Sequence, residues 1–177
     1  MVFFWSDTHF NHDRVRGYSN RPDASVEVMN ARLIAAWNSV VNIGDDVHFL
    51  GDFAFGDRPA RVADIYAALR GRKHLILGNH DEKNRRTTEL PWTSVERLRE
   101  VRHDGHRIVL CHYPIESWAG KHRGTIHCHG HSHGTSRKVP RRFDVGCDVF
   151  PVPVSAEQIV ALAALDGEET DHRNRDE

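Results

Sequence analysis

Seven side chains of metal-ligating type stand in short blocks where apolar runs give way to polar residues: Asp7 with His9, Asp52, Asn79, His112, and His131 with His133. In an extended segment residues i and i+2 face the same side, so Asp7 and His9 can reach one ion, and His131 and His133 can do the same. A glycine precedes each of Asp52, Asn79 and His131, permitting the tight turn that aims a side chain back towards a neighbour. Carboxylate, amide and imidazole donors without a thiolate suit Mn²⁺, Fe or Zn²⁺ better than Ca²⁺ or Cu⁺. Ordinary turn and cap use accounts for any single block. Five blocks in succession are much harder to explain that way.

These blocks need elements to carry them. Val2–Trp5 is a continuous apolar run that stops at Ser6-Asp7, the pattern of a buried strand with polar groups at its end. Ser25 precedes Val26, Met29, Leu33, Ile34 and Trp37 at helical spacing and predicts an N-capped helix, with Leu33 and Trp37 in the core. Asp46–Leu50 predicts a strand ending at Gly51-Asp52, and Pro59 opens a second helix that stops at Gly71. Lys73–Leu77, Arg107–Cys111 and Thr125–His129 predict further strands, each followed by a ligand block, with a last strand at Phe143–Val149 and a last helix at Ser155–Leu165. Such alternation predicts an α/β fold. Residues 1–165 read as one domain and 166–177, almost wholly polar or charged, as a disordered tail.

Composition narrows the function. Lys and Arg total 24 against 25 Asp and Glu, which argues against a long nucleic acid or a membrane surface as partner. The apolar run at the N-terminus is too short for a secretory signal and lacks a preceding basic flank. No segment approaches the ~20 apolar residues of a membrane span. A soluble cytoplasmic protein is expected. Cys111, Cys128 and Cys147 lack Cys-x-x-Cys spacing, so they read as buried thiols rather than a zinc ribbon or disulfide framework.

In order, the blocks are Asp7-Thr8-His9, Gly51-Asp52, Gly78-Asn79-His80-Asp81, His112 and Gly130-His131-Ser132-His133. This series resembles the signature of the calcineurin-like metallophosphoesterase superfamily, and the flanks Ser6-Asp7-Thr8-His9-Phe10 and His112-Tyr113-Pro114 are closest to small bacterial and phage members. The resemblance implies a two-sheet β-sandwich flanked by helices, the four-layer αββα arrangement. It also implies two divalent metal ions, manganese first, with iron, zinc or nickel as alternatives. Asp7, His9, Asp52 and His133 would hold one; Asp52, Asn79, His112 and His131 would hold the other, with Asp52 bridging. The implied activity is phosphate-ester hydrolysis by a metal-bridging hydroxide, with His80 beside the leaving group and Asp81 fixing the His80 tautomer.

A small phosphate ester is the expected substrate, a phosphodiester or cyclic nucleotide ahead of a monoester on a metabolite or phosphoprotein. A metal-binding scaffold without turnover is the rival from another class. His12 is a candidate substrate contact, and Arg14, Arg21 and Arg123 are candidates for phosphate by charge alone. His127 and His129 read as strand histidines. Asp46, His48, Asp144 and Asp148 read as structural. The oligomeric state stays open.

Overall fold

A computed structural model describes residues 1–56 and 59–173. Two mixed sheets face each other. The first has strands β1 (Val2–Trp5), β2 (Asp46–Phe49), β3 (Arg72–Ile76), β4 (Ser94–Glu96) and β9 (Val154–Ser155) in the order β4-β3-β2-β1-β9. β1 to β4 are parallel and β9 is antiparallel to β1. The second has β5 (Leu98–His103), β6 (His106–Cys111), β7 (Ile126–His129) and β8 (Arg142–Asp144) in that order, antiparallel at β5·β6 and parallel beyond.

The alternation within β1 explains the layers. Phe3 and Trp5 face a cluster built with Met29, Leu33 and Trp37 of α2 (Val26–Val40) and Val62 and Ile65 of α3 (Pro59–Ala68). Phe4 faces the opposite way, into the space between the sheets, where it joins Ile108 and Leu110 of β6, Ile126 of β7 and Ile159 of α5 (Ala156–Arg173). Trp118, Val109 and Val139 cover the outer face of the second sheet. Short helices α1 (Val15–Tyr18) and α4 (Arg85–Thr88) lie in the loops after β1 and β3. Ser25 caps α2 as expected, its hydroxyl accepting from the Val28 N–H at 3.3 Å.

The structure departs from the sequence reading in several elements. β4 and β5 were not anticipated, although Asp104-Gly105, both at positive φ, is the signature of a tight hairpin turn between β5 and β6. The strand expected at Phe143–Val149 is β8, Arg142–Asp144 only, because Asp144 turns the chain by accepting the Gly146 N–H at 2.9 Å, and the short β9 follows it. Finally, α5 continues to Arg173, into the stretch expected to be a tail, while 174–177 lie outside the described residues. Among the described residues no helix is long and apolar enough to cross a membrane.

Candidate metal centre

All seven expected ligands sit in the loops after strands, and five are held in the left-handed backbone region: Asp7 (φ 58°), His9 (47°), Asp52 (59°), His131 (68°) and His133 (47°). A residue with a β-carbon adopts that conformation at a cost of order 1–3 kcal/mol and keeps it only where its surroundings enforce it. Here the enforcement is visible. The Asp7 N–H donates to Gly51 O and the His9 N–H to Asp52 O, both at 3.0 Å, so the first two ligand loops zip together. Close approach fixes two glycines. A β-carbon on Gly78 would lie 2.2 Å from Asp52 Oδ1, and one on Gly130 would lie 2.4 Å from Asp7 Oδ2.

Two clusters result, Asp7 with His9 and His133, and Asp52 with His112 and His131; within each, one ligand atom per residue lies within 4.8 Å of the others. They adjoin, since His9 Nε2 is 4.0 Å from Asp7 Oδ1 and 3.8 Å from Asp52 Oδ2. His133 Nε2 stands 4.0 Å from Asp7 Oδ1, and His112 Nε2 3.6 Å from Asp52 Oδ2. Asn79 enters beside the second cluster, its Oδ1 3.1 Å from His112 Nε2.

Several features suit a cation. Both ring nitrogens of His9 are buried without a hydrogen-bond partner, a costly state for a polar group unless something binds there. His112 Nδ1–H donates to Leu50 O at 2.7 Å, which leaves Nε2 a lone pair pointed at the Asn79 oxygen with no proton between them. A shared ion resolves that contact. Burial pushes the Asp7 carboxyl up to about 8, against the opposing Ser6 hydroxyl, which donates to Oδ2 at 2.6 Å. Burial likewise drives His9 well below the ordinary imidazole range and lowers His112. These groups fit a bound dication far better than water.

The supports behind the first cluster include residues that the sequence did not single out for this role. Asp148 Oδ2 accepts from His133 Nδ1–H at 2.6 Å and so turns Nε2 towards Asp7; this hydrogen bond raises the His133 pKa. Arg21 clamps the same Asp148 through Nε at 2.7 Å and Nη2 at 2.8 Å, and also donates to the carbonyls of Asp7 (2.7 Å) and Thr8 (2.8 Å). Its guanidinium therefore faces inward. Asp144 accepts from Ser132 Oγ and from the Gly134 N–H, each at 2.8 Å, and fixes the loop carrying His131 and His133.

Asp81 requires a correction. Its carboxylate accepts from the backbone N–H groups of Asp52 (2.6 Å), Gly78 (2.9 Å) and Phe53 (3.0 Å), fully buried, so it ties two ligand loops together instead of meeting the His80 ring. The motif shows the carboxylate but not its direction. Burial raises it to about 7 despite those donors. His80 lies on the open side, 44% exposed, with Nε2 3.9 Å from Asp52 Oδ2. His12 stacks on Phe55 at 4.1 Å, beside His9. His127 and His129 are buried in β7, where His127 lies between the carbonyls of Val109 and Tyr113. Arg123 is at the other end of the second sheet.

Comparison with known proteins gives a family for this geometry. The uncharacterized protein MJ1445 of Methanocaldococcus jannaschii is 34% identical over 170 residues, spanning 91% of this chain and 90% of that one. The chain belongs to the MJ1445 family. Gene 66 protein of Mycobacterium phage L5 is 32% identical over 193 residues, 91% of this chain and 93% of its own length, so the MJ1445 family reaches phage proteins. The crystal structure of AQ665 from Aquifex aeolicus, a protein of unknown function, shares the fold at a TM-score of 0.75 and 22% identity, over 92% of this chain and 98% of that one. No family model matches the chain.

Proposed function

We infer that the chain is a dinuclear metal-dependent phosphoesterase of the calcineurin-like kind that prefers phosphodiesters. The observation that carries this reading is the pair of adjoining ligand clusters, with Asp52 within 4 Å of imidazoles from both. The ordered motif resemblance supports it. Asp7, His9, Asp52 and His133 would hold one divalent ion, and Asp52, Asn79, His112 and His131 the other. When bound, such a pair supplies Lewis acidity and a water acidified towards a pKa of ~7.

The chain's own residues supply the remainder. His80 stands at the open rim, where its ring can hand a proton to a departing alkoxide. Phe55, Lys83 and Arg86 line a cleft of about 390 Å³ with Asn79 and His80, and this cleft is where the ester's alcohol portion would lie. A monoester dianion would gain from a further cation at the centre. Arg21 is committed to Asp148 and two carbonyls, and Lys83 and Arg86 stand in this reading with the alcohol portion rather than the phosphate, which favours the singly charged diester.

The test is a panel of monoester, diester and cyclic-nucleotide substrates, with full-length protein reconstituted separately in Mn²⁺, Ni²⁺, Zn²⁺ and Mg²⁺. Diester turnover with manganese is expected, and His80→Ala should keep its metal while turning over ~10²–10⁴-fold more slowly. Faster monoester hydrolysis would reject the diester preference. Full metal occupancy with no turnover would favour the scaffold.

A further inference from the structure

At the opposite end of the second sheet lies a cavity of about 470 Å³ that the metal centre does not use. Arg102 and Arg107 of the β5–β6 hairpin, Arg123, and Arg141 ahead of β8 line it, along with His106 and Thr125. His112 and His131 follow the C-terminal ends of β6 and β7, whereas Arg107 and Arg123 lie at the starts of those strands, Arg102 near the end of the antiparallel β5 and Arg141 just ahead of β8. By the ~3.3 Å rise per residue of a strand, the cavity is separated from the centre by roughly 20 Å.

Of the four guanidiniums around the cavity only that of Arg107 is paired with a carboxylate among the described residues, and like charges gathered there favour an anion. Arg102 and Arg107 are direct cross-strand neighbours, a like-charge pairing that weakens a hairpin. Glu100 accepts from Arg107 Nη2 at 2.8 Å, and the Arg107 Nε remains buried with no hydrogen-bond partner. Among the described residues no carboxylate pairs with the guanidinium of Arg102, Arg123 or Arg141, although Asp166 Oδ2 accepts from the Arg141 backbone N–H at 3.2 Å.

The backbone adds an independent sign. Among the described residues nine that are not glycine have positive φ; five are the proposed ligands above, and three are Asn11, Asn20 and Asp104, types that tolerate the conformation. The ninth is Arg141, at φ 58°. Strain held at a long cationic side chain on a basic cavity is a reason to look for a ligand there.

We propose that this cavity binds a small anion bearing two or more linked phosphates, gripped by the guanidiniums of Arg102, Arg107, Arg123 and Arg141. Planar guanidinium forks match phosphate oxygens two at a time. Among the described residues no Phe, Tyr or Trp lines the cavity, its apolar wall is Ala163 and Ala164, and its one ring is the His106 imidazole, so a nucleobase would find little apolar surface. Recognition therefore rests on the phosphate chain, whether free or carried by a nucleotide.

The experiment titrates inorganic phosphate, pyrophosphate, tripolyphosphate and a nucleoside triphosphate into metal-free full-length protein, followed by calorimetry and by amide shifts of Gly105, Gly120 and Gly124. Pyrophosphate and tripolyphosphate should bind saturably and more tightly than phosphate, and the nucleoside should add nothing. Arg123→Glu should weaken binding about tenfold or more, the scale of a lost charge-assisted hydrogen bond. Arg141→Gly relieves the strained backbone, so its thermal midpoint should hold or rise while affinity still falls. Equal affinity in wild type and both variants would overturn the proposal, as would shifts confined to the neighbourhood of His131. Tighter binding of the nucleoside triphosphate than of tripolyphosphate, or of a short single-stranded oligonucleotide than of either, would refute recognition by the phosphate chain alone.

Discussion

The two halves of the candidate centre are built differently. In the first, side chains back Asp7 and His133: the Ser6 hydroxyl on Asp7, Asp148 on His133, and Arg21 clamping Asp148 from beneath. Around Asp52, Asn79, His112 and His131 the supports are mostly backbone groups, with Leu50 O orienting His112 and the His80 N–H holding Asp52 Oδ1 at 3.0 Å. His131 is exposed, and its N–H donates to Asp7 Oδ1 at 3.1 Å and Oδ2 at 3.0 Å, so the open half hangs on the closed one. A rigid buried half and an adaptable exposed half suit a site that keeps one ion fixed while substrate enters beside the other.

The largest effect should come from the residue that both halves share. Asp52→Asn removes the carboxylate facing His9, His80 and His112 at 3.6–3.9 Å. Hydrolysis should fall more than ~10³-fold, and elemental analysis should find both ions weakened, because a divalent pair needs the anionic bridge. Loss of one ion alone would show that the halves are independent and that Asp52 does not bridge.

Next comes Asp148→Asn, which attacks the buried half alone. The Arg21 and Asp148 side chains are 2% and 12% exposed. Burial works to raise the Asp148 carboxyl, yet hydrogen bonds from His133 and Arg21 hold it at about 2. Removing its charge leaves Arg21 a buried cation without a counterion, which costs on the order of 3–5 kcal/mol. Urea unfolding should report that loss in metal-free protein, with one ion held ~10–100-fold more weakly and the other unchanged. Wild-type stability would mean that the Arg21 clamp does not support this half.

The contrast between halves also marks how much the sequence revealed. The seven candidate residues that the structure gathers at one end of the sheets were legible because their types and glycine spacing follow from what a strand-end loop must do, and the run Val2–Trp5 announced the central strand. The supports were not. Asp148 and Arg21 reach the site from unrelated positions in the chain, and only the folded chain brings the Arg21 guanidinium to the carbonyls of Asp7 and Thr8. Asp81 looked like a partner for its neighbour His80, but burial turned it towards three backbone N–H groups. β5 was hidden because Leu98–His103 is an edge strand of mostly polar residues, and its clearest signal was the Asp104-Gly105 turn.

A third test probes what lies beneath the open half. His127 Nε2 meets Tyr113 O at 3.1 Å, next to His112, and the ring is fully buried. Burial lowers its pKa from 6.5 to about 4, outweighing the Val109 and Tyr113 carbonyls, which favour the charged form. The unfolded chain therefore binds a proton that the folded chain refuses, and stability, intact above pH 6.5, drains away as pH falls towards 4. Each unit is worth ~1.4 kcal/mol, so this one residue accounts for about 3 kcal/mol over that window. Metal-free His127→Gln should show a shallower acid dependence by one proton. An unchanged slope would place the acid-sensitive group elsewhere.

The smallest effect should come from His131, and it separates the halves most cleanly. Its ring is exposed and held by no described hydrogen bond, while its backbone N–H, which anchors the loop to Asp7, survives substitution. His131→Ala should therefore leave metal-free stability within about 0.5 kcal/mol of wild type, as surface changes usually do. The metal content should nevertheless drop by one ion per chain. Stability and occupancy would then part company in the open half, whereas Asp148→Asn moves both together in the buried one. A large loss of metal-free stability in His131→Ala would show that the exposed ligand is part of the scaffold, and the division into a rigid and an adaptable half would fail.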